Sequence, residues 1–353
     1  MCIRDRYTRD QIVESELSYL SNYQRVIINS GKISNKGWEI SVSGVPVKVK
    51  NFEWKTIFNW SKNNSMVESL PEGIDKIQIG SGVYNVKSYA EVGKPYGAIY
   101  AKTFKRDAEG YILCQLDGSP KEGQDYEYLG CVQADWRGGW NNVFRLGNFS
   151  FSVMFDFQKG GKFFSQTSIQ SSVDGQSVKS LEGRDADFFS RKILGESDEE
   201  RYGFMRPQNA NTPTANGQIY PDWGRPKGVV LPNCRYDEDV EGLAGQQVLG
   251  YCTPERYWMH YTSRDISRFI YDASYVKLRE ITVSYDLPKK WLRKTPFQTF
   301  RVAAVGRNIA TLFANTPHGL DPQATSTTGN AQGFERGFNL PSATYGFDIK
   351  VSF

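Results

Sequence analysis

The segment Thr344–Phe353, TYGFDIKVSF, alternates without a break. Tyr345, Phe347, Ile349, Val351 and Phe353 take one parity, and Thr344, Gly346, Asp348, Lys350 and Ser352 take the other. Successive side chains of a strand point to opposite faces, so this stretch reads as a strand with one apolar and one wet face. The same pattern recurs upstream, where Phe149, Phe151, Val153, Phe155 and Phe157 alternate with Ser150, Ser152, Asp156 and Gln158. The fold class turns on what covers the apolar face.

A soluble sandwich buries such faces against each other, whereas a polypeptide that ends on an aromatic residue of its apolar face is characteristic of outer-membrane β-barrels. Composition accommodates the barrel. With 353 residues and 14% aromatics the chain has room for a large core and for one to three domains. Mean hydropathy is -0.52, and no apolar run approaches the roughly 18 residues of a spanning helix, which excludes a helical membrane protein. A barrel needs apolar residues on only half of each strand, and its loops are polar. The net charge of +4 is dispersed; the densest basic cluster, Lys289, Lys290, Arg293 and Lys294, reads as one solvated turn. Nucleic-acid binding would need a concentrated basic stripe.

Alternation predicts an all-β chain of paired strands. Trp38, Ile40 and Val42 share a face, and after the polar turn Lys48 to Asn51 so do Phe52, Trp54, Phe58 and Trp60. A second hairpin joins Gly139 to Leu146 with Asn148 to Gln158 through a turn at Gly147 and Asn148. Further strands are expected at Pro95 to Lys105, Tyr111 to Leu116, Tyr275 to Tyr285, Thr299 to Asn308 and near Leu17 to Ile28, giving on the order of ten of barrel length. No helix of consequence is expected. The stretch 161–272, rich in Gly, Pro, Asn, Ser and charge, is expected to be a long extracellular loop region, and 310–340 a second one. Counting strands back from Phe353 puts every long loop on one side. Lys277 and Arg279 break the pattern, because they share parity with Ile281, Val283 and Tyr285. A cation facing lipid at the midplane costs about 2 to 4 kcal/mol, so both are expected above the apolar belt or beyond a bulge.

Specific motifs accompany this pattern: NKGWE at Asn35–Glu39, GKPYGAIY at Gly93–Tyr100, LGCVQADWRGG at Leu129–Gly139, NFSFSVMFDFQKGG at Asn148–Gly161, FIYDASYVKLREITVSYDLP at Phe269–Pro288, GRN at Gly306–Asn308 and GLDP at Gly319–Pro322. In these the chain from Tyr7 to Phe353 resembles the SusC-like, starch-utilisation type of TonB-dependent outer-membrane transporters of Bacteroidota. The family pattern after LG usually reads Asn, Val, Asn, Pro, Asp, Trp, and Cys131 and Ala134 here replace the first Asn and the Pro. The resemblance implies the C-terminal part of a barrel of about 22 strands, an open curved sheet in isolation, with residues 7–353 the barrel portion and the globular plug, TonB box and signal peptide missing upstream. Residues 1–6, MCIRDR, lack the apolar core of a signal peptide and are expected to be a non-native start. It further implies import of an oligosaccharide or peptide driven through the TonB complex, a SusD-like surface lipoprotein as lid, contact with outer-membrane lipid, and presentation of Phe353 to the barrel-assembly machinery.

Enzyme signatures are absent. His260 and His318 are the two histidines, with no HExxH, GxSxG or GxxxxGK[ST] motif. No cofactor is called for. Asp237, Asp239 and Glu241 have spacing suited to Ca²⁺, but Val248 stands where an EF-hand requires Glu, so surface solvation is preferred and no metal is expected. Cys234 with Cys252 is a candidate disulfide and Cys114 with Cys131 a second, with free thiols the competing reading. Trp223, Tyr257, Trp258 and Tyr261 are candidates for a ligand- or partner-binding surface, since aromatic faces stack on sugars and peptide side chains; packing of the loop on itself competes. The alternatives to a transporter are an outer-membrane barrel enzyme or adhesin and a soluble extracellular β-sandwich lectin.

Overall fold

The computed structural model describes residues 2–8, 12–16, 25–29, 31–181, 229–252, 256–317, 319–324, 332–337 and 342–353. Eight strands form one antiparallel sheet, the wall: β1 Cys2–Thr8, β2 Lys32–Val49, β3 Phe52–Ser69, β4 Trp136–Leu146, β5 Phe149–Lys159, β6 Tyr275–Asp286, β7 Thr299–Ala314 and β8 Thr344–Ser352. They lie side by side in chain order, and β1 and β8 are opposite edges that do not meet, so the wall is open. At one end, β2–β3, β4–β5 and β6–β7 are joined by short connections; at the other, residues 70–135, 160–274 and 315–343 join β3–β4, β5–β6 and β7–β8. All long segments therefore emerge at one end, as counting from Phe353 predicts.

Register brings the apolar residues of the wall to one face. Ile349 lies opposite Val302, Val302 opposite Tyr285 and Tyr285 opposite Phe149; the next row is Phe347, Ala304, Val283 and Phe151. These rings do not meet a second sheet. Phe347 is 86% exposed, Tyr345 76% and Phe149 58%, with Trp140, Phe58 and Val42 also open. Aromatic neighbours stack along the face instead, Trp54 on Phe144 at 5.9 Å and Phe144 on Phe151 at 6.1 Å between centroids. Gly138 permits one such contact: a Cβ there would lie 2.1 Å from the ring of Phe157.

The buried core lies elsewhere, in the cap built from the long segments. One antiparallel sheet there contains Lys76–Ser81, Lys87–Glu91, Ala98–Ala101 and Glu127–Cys131; a second joins Ile270–Asp272, Lys162–Ser165 and Phe334–Glu335; a third joins Gln247–Cys252, Val229–Tyr236 and Ile112–Cys114. Val86, Ile99, Phe164, Ile169, Ile266, Phe269 and Phe334 pack together, and Phe104, Ile112, Leu231, Tyr236 and Val248 belong to a second cluster. Helix α1, Gln166–Val173, is capped by Ser165, whose hydroxyl accepts from Ser168 N and donates to Glu335.

The strands expected at Pro95 to Lys105 and Tyr111 to Leu116 shrink to Ala98–Ala101 and Ile112–Cys114, and both belong to the cap. Their apolar residues are buried on both faces, which short alternation does not distinguish from a wall strand. Of the strand expected near Leu17 to Ile28, residues 17–24 lie outside the described residues, and 25–28 belong to Arg25–Asn29, which pairs with Ile12–Glu16 in a separate hairpin. The described parts of 161–272 carry four of the cap strands, Lys162–Ser165, Val229–Tyr236, Gln247–Cys252 and Ile270–Asp272, and α1. Residues Cys2–Thr8 pair with Ile33–Glu39 as the β1 edge.

Candidate functional site: the polar wall and its cap

The face of the wall opposite the exposed rings carries hydrogen-bonding and charged groups that lock to one another across strands. Arg301 on β7 reaches Asp286 on β6 through Nε and Nη2 at 2.6 and 2.8 Å, and Arg307 reaches Glu280 at 3.0 Å. Ser152 donates to Asn141 at 3.1 Å. Such pairs leave this face wettable and stiff.

Lys277 and Arg279 reach it through a bulge. On β6, Leu278 pairs with Phe155 and Glu280 with Met154, so Arg279 has no opposite number on β5; on β7, Asn308 and Ile309 are likewise skipped between Arg307 and Ala310. Asn308 adopts φ 52°, the left-handed conformation that Asn tolerates. One extra residue inverts the alternation. Ile281, Val283 and Tyr285 thus face outward while Lys277, of the same parity, joins the polar face. Lys277 is 1% exposed, and its ammonium lies 2.5 Å from Asp321 and 3.0 Å from Gln323. Arg279 pairs with Asp156 and donates to Asn308 and Gln323, while Gln323 donates to Tyr275 at 2.6 Å. The GLDP segment is thereby pinned to the wall by a fully partnered buried cation, the condition under which burying a charge is tolerated.

At the seam between wall and cap, the GKPYGAIY and LGCVQADWRGG motifs interlock. Gln133 accepts from Ser65 N at 3.2 Å and donates to Tyr96 O at 3.1 Å, and the Cys131 thiol lies 3.4 Å from the same carbonyl. Gly160 and Gly161 turn the chain here with φ 73° and 83°; a Cβ on Gly160 would sit 2.4 Å from Asp135. Two cavities flank this seam. One of about 380 Å³ is lined by Ser61, Asn63, Tyr96, Gln133, Arg137 and Gln332 among others. The second, of about 470 Å³, shares Asn63 and Gln133 and adds Tyr128, Lys162 and Asp272.

The residues singled out from sequence fall in different places. Tyr257, Trp258 and Tyr261 lie on one π-helical turn and are essentially inaccessible, at 0%, 2% and 2% exposure. They pack in the cap core with Phe104 and Cys252; Tyr257 meets Trp258 edge-on at 5.1 Å, and Arg256 and Arg264 flank the ring of Tyr261. Their rings support the cap from inside and present no surface to a ligand. Trp223 and His318 lie outside the described residues. His260 is exposed on this same turn. Phe353 is 77% exposed, with its ring edge-on to Phe297 at 5.3 Å.

Cys234 and Cys252 are both buried free thiols, as are Cys114 and the half-buried Cys131. In their hairpin Cys234 lies opposite Val248 and Cys252 opposite Val229. Four residues of extended strand separate the two, about 13 Å, against the roughly 4.4 to 6.8 Å between Cα atoms that a disulfide spans. The partner of Cys234 is Cys114, brought alongside by the parallel pairing of Val229–Tyr236 with Ile112–Cys114. Contact with Cys234 and burial together raise the Cys114 thiol well above its ordinary value, and burial pushes Cys252 up to about 12.

The acidic group read for Ca²⁺ spacing is spent on lysines. Asp237, 3% exposed, meets Lys105 at 2.9 Å and Lys121 at 2.8 Å, and Lys121 also meets Asp239. Burial by itself would raise the Asp237 carboxyl, but the two ammonium groups and the Glu238 amide outweigh it and hold it at about 2. Among the described residues no group of His, Cys, Asp and Glu is arranged to hold a metal.

No family model matches the chain. Among curated proteins it is similar to TonB-dependent receptor P3 of Formosa agariphila, 23% identical over 360 residues that cover 96% of this chain and 30% of that protein. TonB-dependent receptor P39 of the same organism is 21% identical over 212 residues, 45% of this chain and 20% of that protein. Among solved structures, the RagAB peptide transporter superposes with a TM-score of 0.58 at 16% identity, over 99% of this chain and 33% of that one. The RagAB peptide importer in its open-open state gives 0.57 at 15% identity, over 99% and 32%. The chain is thus homologous to TonB-dependent receptors, spans about a third of the length of the first relatives it matches, and has the fold of part of the RagAB transporter.

Proposed function

We propose that this homologue of TonB-dependent receptors forms part of the wall and the loop cap of an outer-membrane importer for an oligomeric nutrient, a peptide or an oligosaccharide. One observation carries the reading: the wall exposes a continuous apolar face while the buried core lies in the cap. In water that face would be a severe liability; against lipid it is the low-energy arrangement. Outer-membrane location, which its TonB-dependent relatives share, supplies the lipid.

The opposite face, with its cross-strand ion pairs, then lines the import path. Import involves no covalent chemistry. Ligand is captured at the cap, a SusD-like lipoprotein closes over it, and energy relayed by TonB displaces a plug to open the path. The partner lipoprotein is supported by the RagAB complexes that the fold matches. Residues 7–353 act in this reading as barrel and 161–272 as extracellular cap, with Phe353 presented to the barrel-assembly machinery. Within the cap, Tyr257, Trp258 and Tyr261 hold the binding surface in place from beneath, and Trp223 is the remaining candidate for direct contact.

Uptake of labelled oligopeptides and oligosaccharides by cells carrying the whole transporter tests the proposal. Accumulation is expected with an energised TonB complex and the lipoprotein present, and is expected to cease when either is removed. Undiminished accumulation without them would overturn the importer reading.

A further inference from the structure

We propose that the cavity of about 380 Å³ at the seam is a subsite for a carboxylate group of the ligand, gripped by the terminal nitrogens of Arg137. This rests on the polar face being the import path. Arg137 stands on β4 opposite Ser61 of β3 and Gln158 of β5, the parity of the polar face. Its Nε donates to Gln158 Oε1 at 2.9 Å. Gln158 is itself held, since its amide donates at 3.2 Å to both Gly160 O and Ala273 O. The guanidinium is thereby oriented from behind.

Its two terminal nitrogens, unlike those of Arg279 and Arg301, meet no carboxylate among the described residues. Among the described residues, Arg137 is also the one charged residue lining this cavity. The other polar side chains of its described lining, Ser61, Asn63, Tyr96, Gln133, Trp136 and Gln332, are neutral and do not compete for it. A planar fork of unpaired donors matches a carboxylate bidentately, and neutral amides and hydroxyls suit the rest of a peptide or sugar unit. A cavity of this size holds a single terminal residue or ring. The carboxylate has two sources with the same chemistry, the C-terminus of an oligopeptide or a uronic acid of a glycan.

Binding to the whole transporter purified in detergent micelles tests the assignment, with trialanine against trialanine amide and glucuronate against glucose as probes. The acid of one pair is expected to bind roughly tenfold or more tighter than its neutral counterpart, as a bidentate charge-assisted contact requires. The pair that discriminates identifies the source. Arg137→Gln is expected to abolish the preference and Arg137→Lys to keep only part of it, because an ammonium lacks the fork. Equal binding of acid and neutral probes to the unmodified protein, or a preference that survives Arg137→Gln, would overturn the subsite. If Arg137→Gln loses the heat-modifiable folded form, the comparison on unmodified protein decides. Acid preference without cellular uptake would retire the importer reading and keep the subsite; uptake without acid preference would do the reverse.

Discussion

Asp237 is the residue whose protonation the cap feels most. Its folded pKa of about 2 lies below the ordinary 3.8, so the stability it contributes is complete above that ordinary value and is lost as pH falls through about 2. The contribution is on the order of 2 kcal/mol, the linkage value of a shift of this size. Asp237→Asn is expected to remove it at neutral pH. Protection factors of the hairpin Val229–Tyr236 and Gln247–Cys252 should then be lower at pH 6 and fall little further at pH 3, where the unmodified protein begins to lose protection. Equal exchange rates at pH 6 would disprove the role. Phe353 offers a second test at this scale. Deleting it leaves every register pair of β8 intact, from Thr344 with Arg307 to Ser352 with Thr299. The amount of folded barrel in the outer membrane, read by heat-modifiability on gels, is nevertheless expected to fall; unchanged levels would sink the assembly-signal proposal.

At the level of elements, the wall strands are defined by what each face meets. Val283→Lys places a cation on the apolar face and is expected to cost about 2 to 4 kcal/mol if the site lies near the bilayer midplane. Thr282→Lys, one residue away on the polar face, is expected to be nearly neutral. Unfolding in lipid bilayers measures the difference, and equal costs would mean that the two faces do not separate lipid from water. The bulge in β6 makes a stricter case. Removing Arg279 restores uninterrupted alternation, which turns either Lys277 and Tyr275 or the block Ile281, Val283 and Tyr285 to the wrong face. Loss of folded protein is expected, whereas Arg279→Ala keeps the extra residue and should fold with only its contacts to Asp156, Asn308 and Gln323 missing.

For the whole molecule, an exposed apolar face together with two unpaired sheet edges predicts association in water. Sedimentation is expected to find the chain aggregated without detergent and dispersed with it; a monodisperse chain in plain buffer would contradict the lipid-facing wall. How much of this was legible beforehand follows from the range of the interactions. Alternation in Asn148–Gln158, Tyr275–Tyr285 and Thr344–Phe353 is a local consequence of strand geometry, so the sequence by itself determined the wall strands other than β1, their apolar face and the side from which the long segments emerge. The parity conflict at Lys277 and Arg279 left two readings, a place above the apolar belt or a bulge; the bulge is present, with partners Asp321 and Gln323 that no pattern announced. Only the tertiary structure decided the cap. Short strands buried on both faces have no period to read, and the pairings of Cys234 with Cys114, of Asp237 with Lys105 and Lys121, and of Tyr257, Trp258 and Tyr261 with the cap core join segments distant in sequence. Which aromatic is a surface and which a core, and which arginine meets no carboxylate in a cavity, depends on neighbours that a linear pattern does not contain.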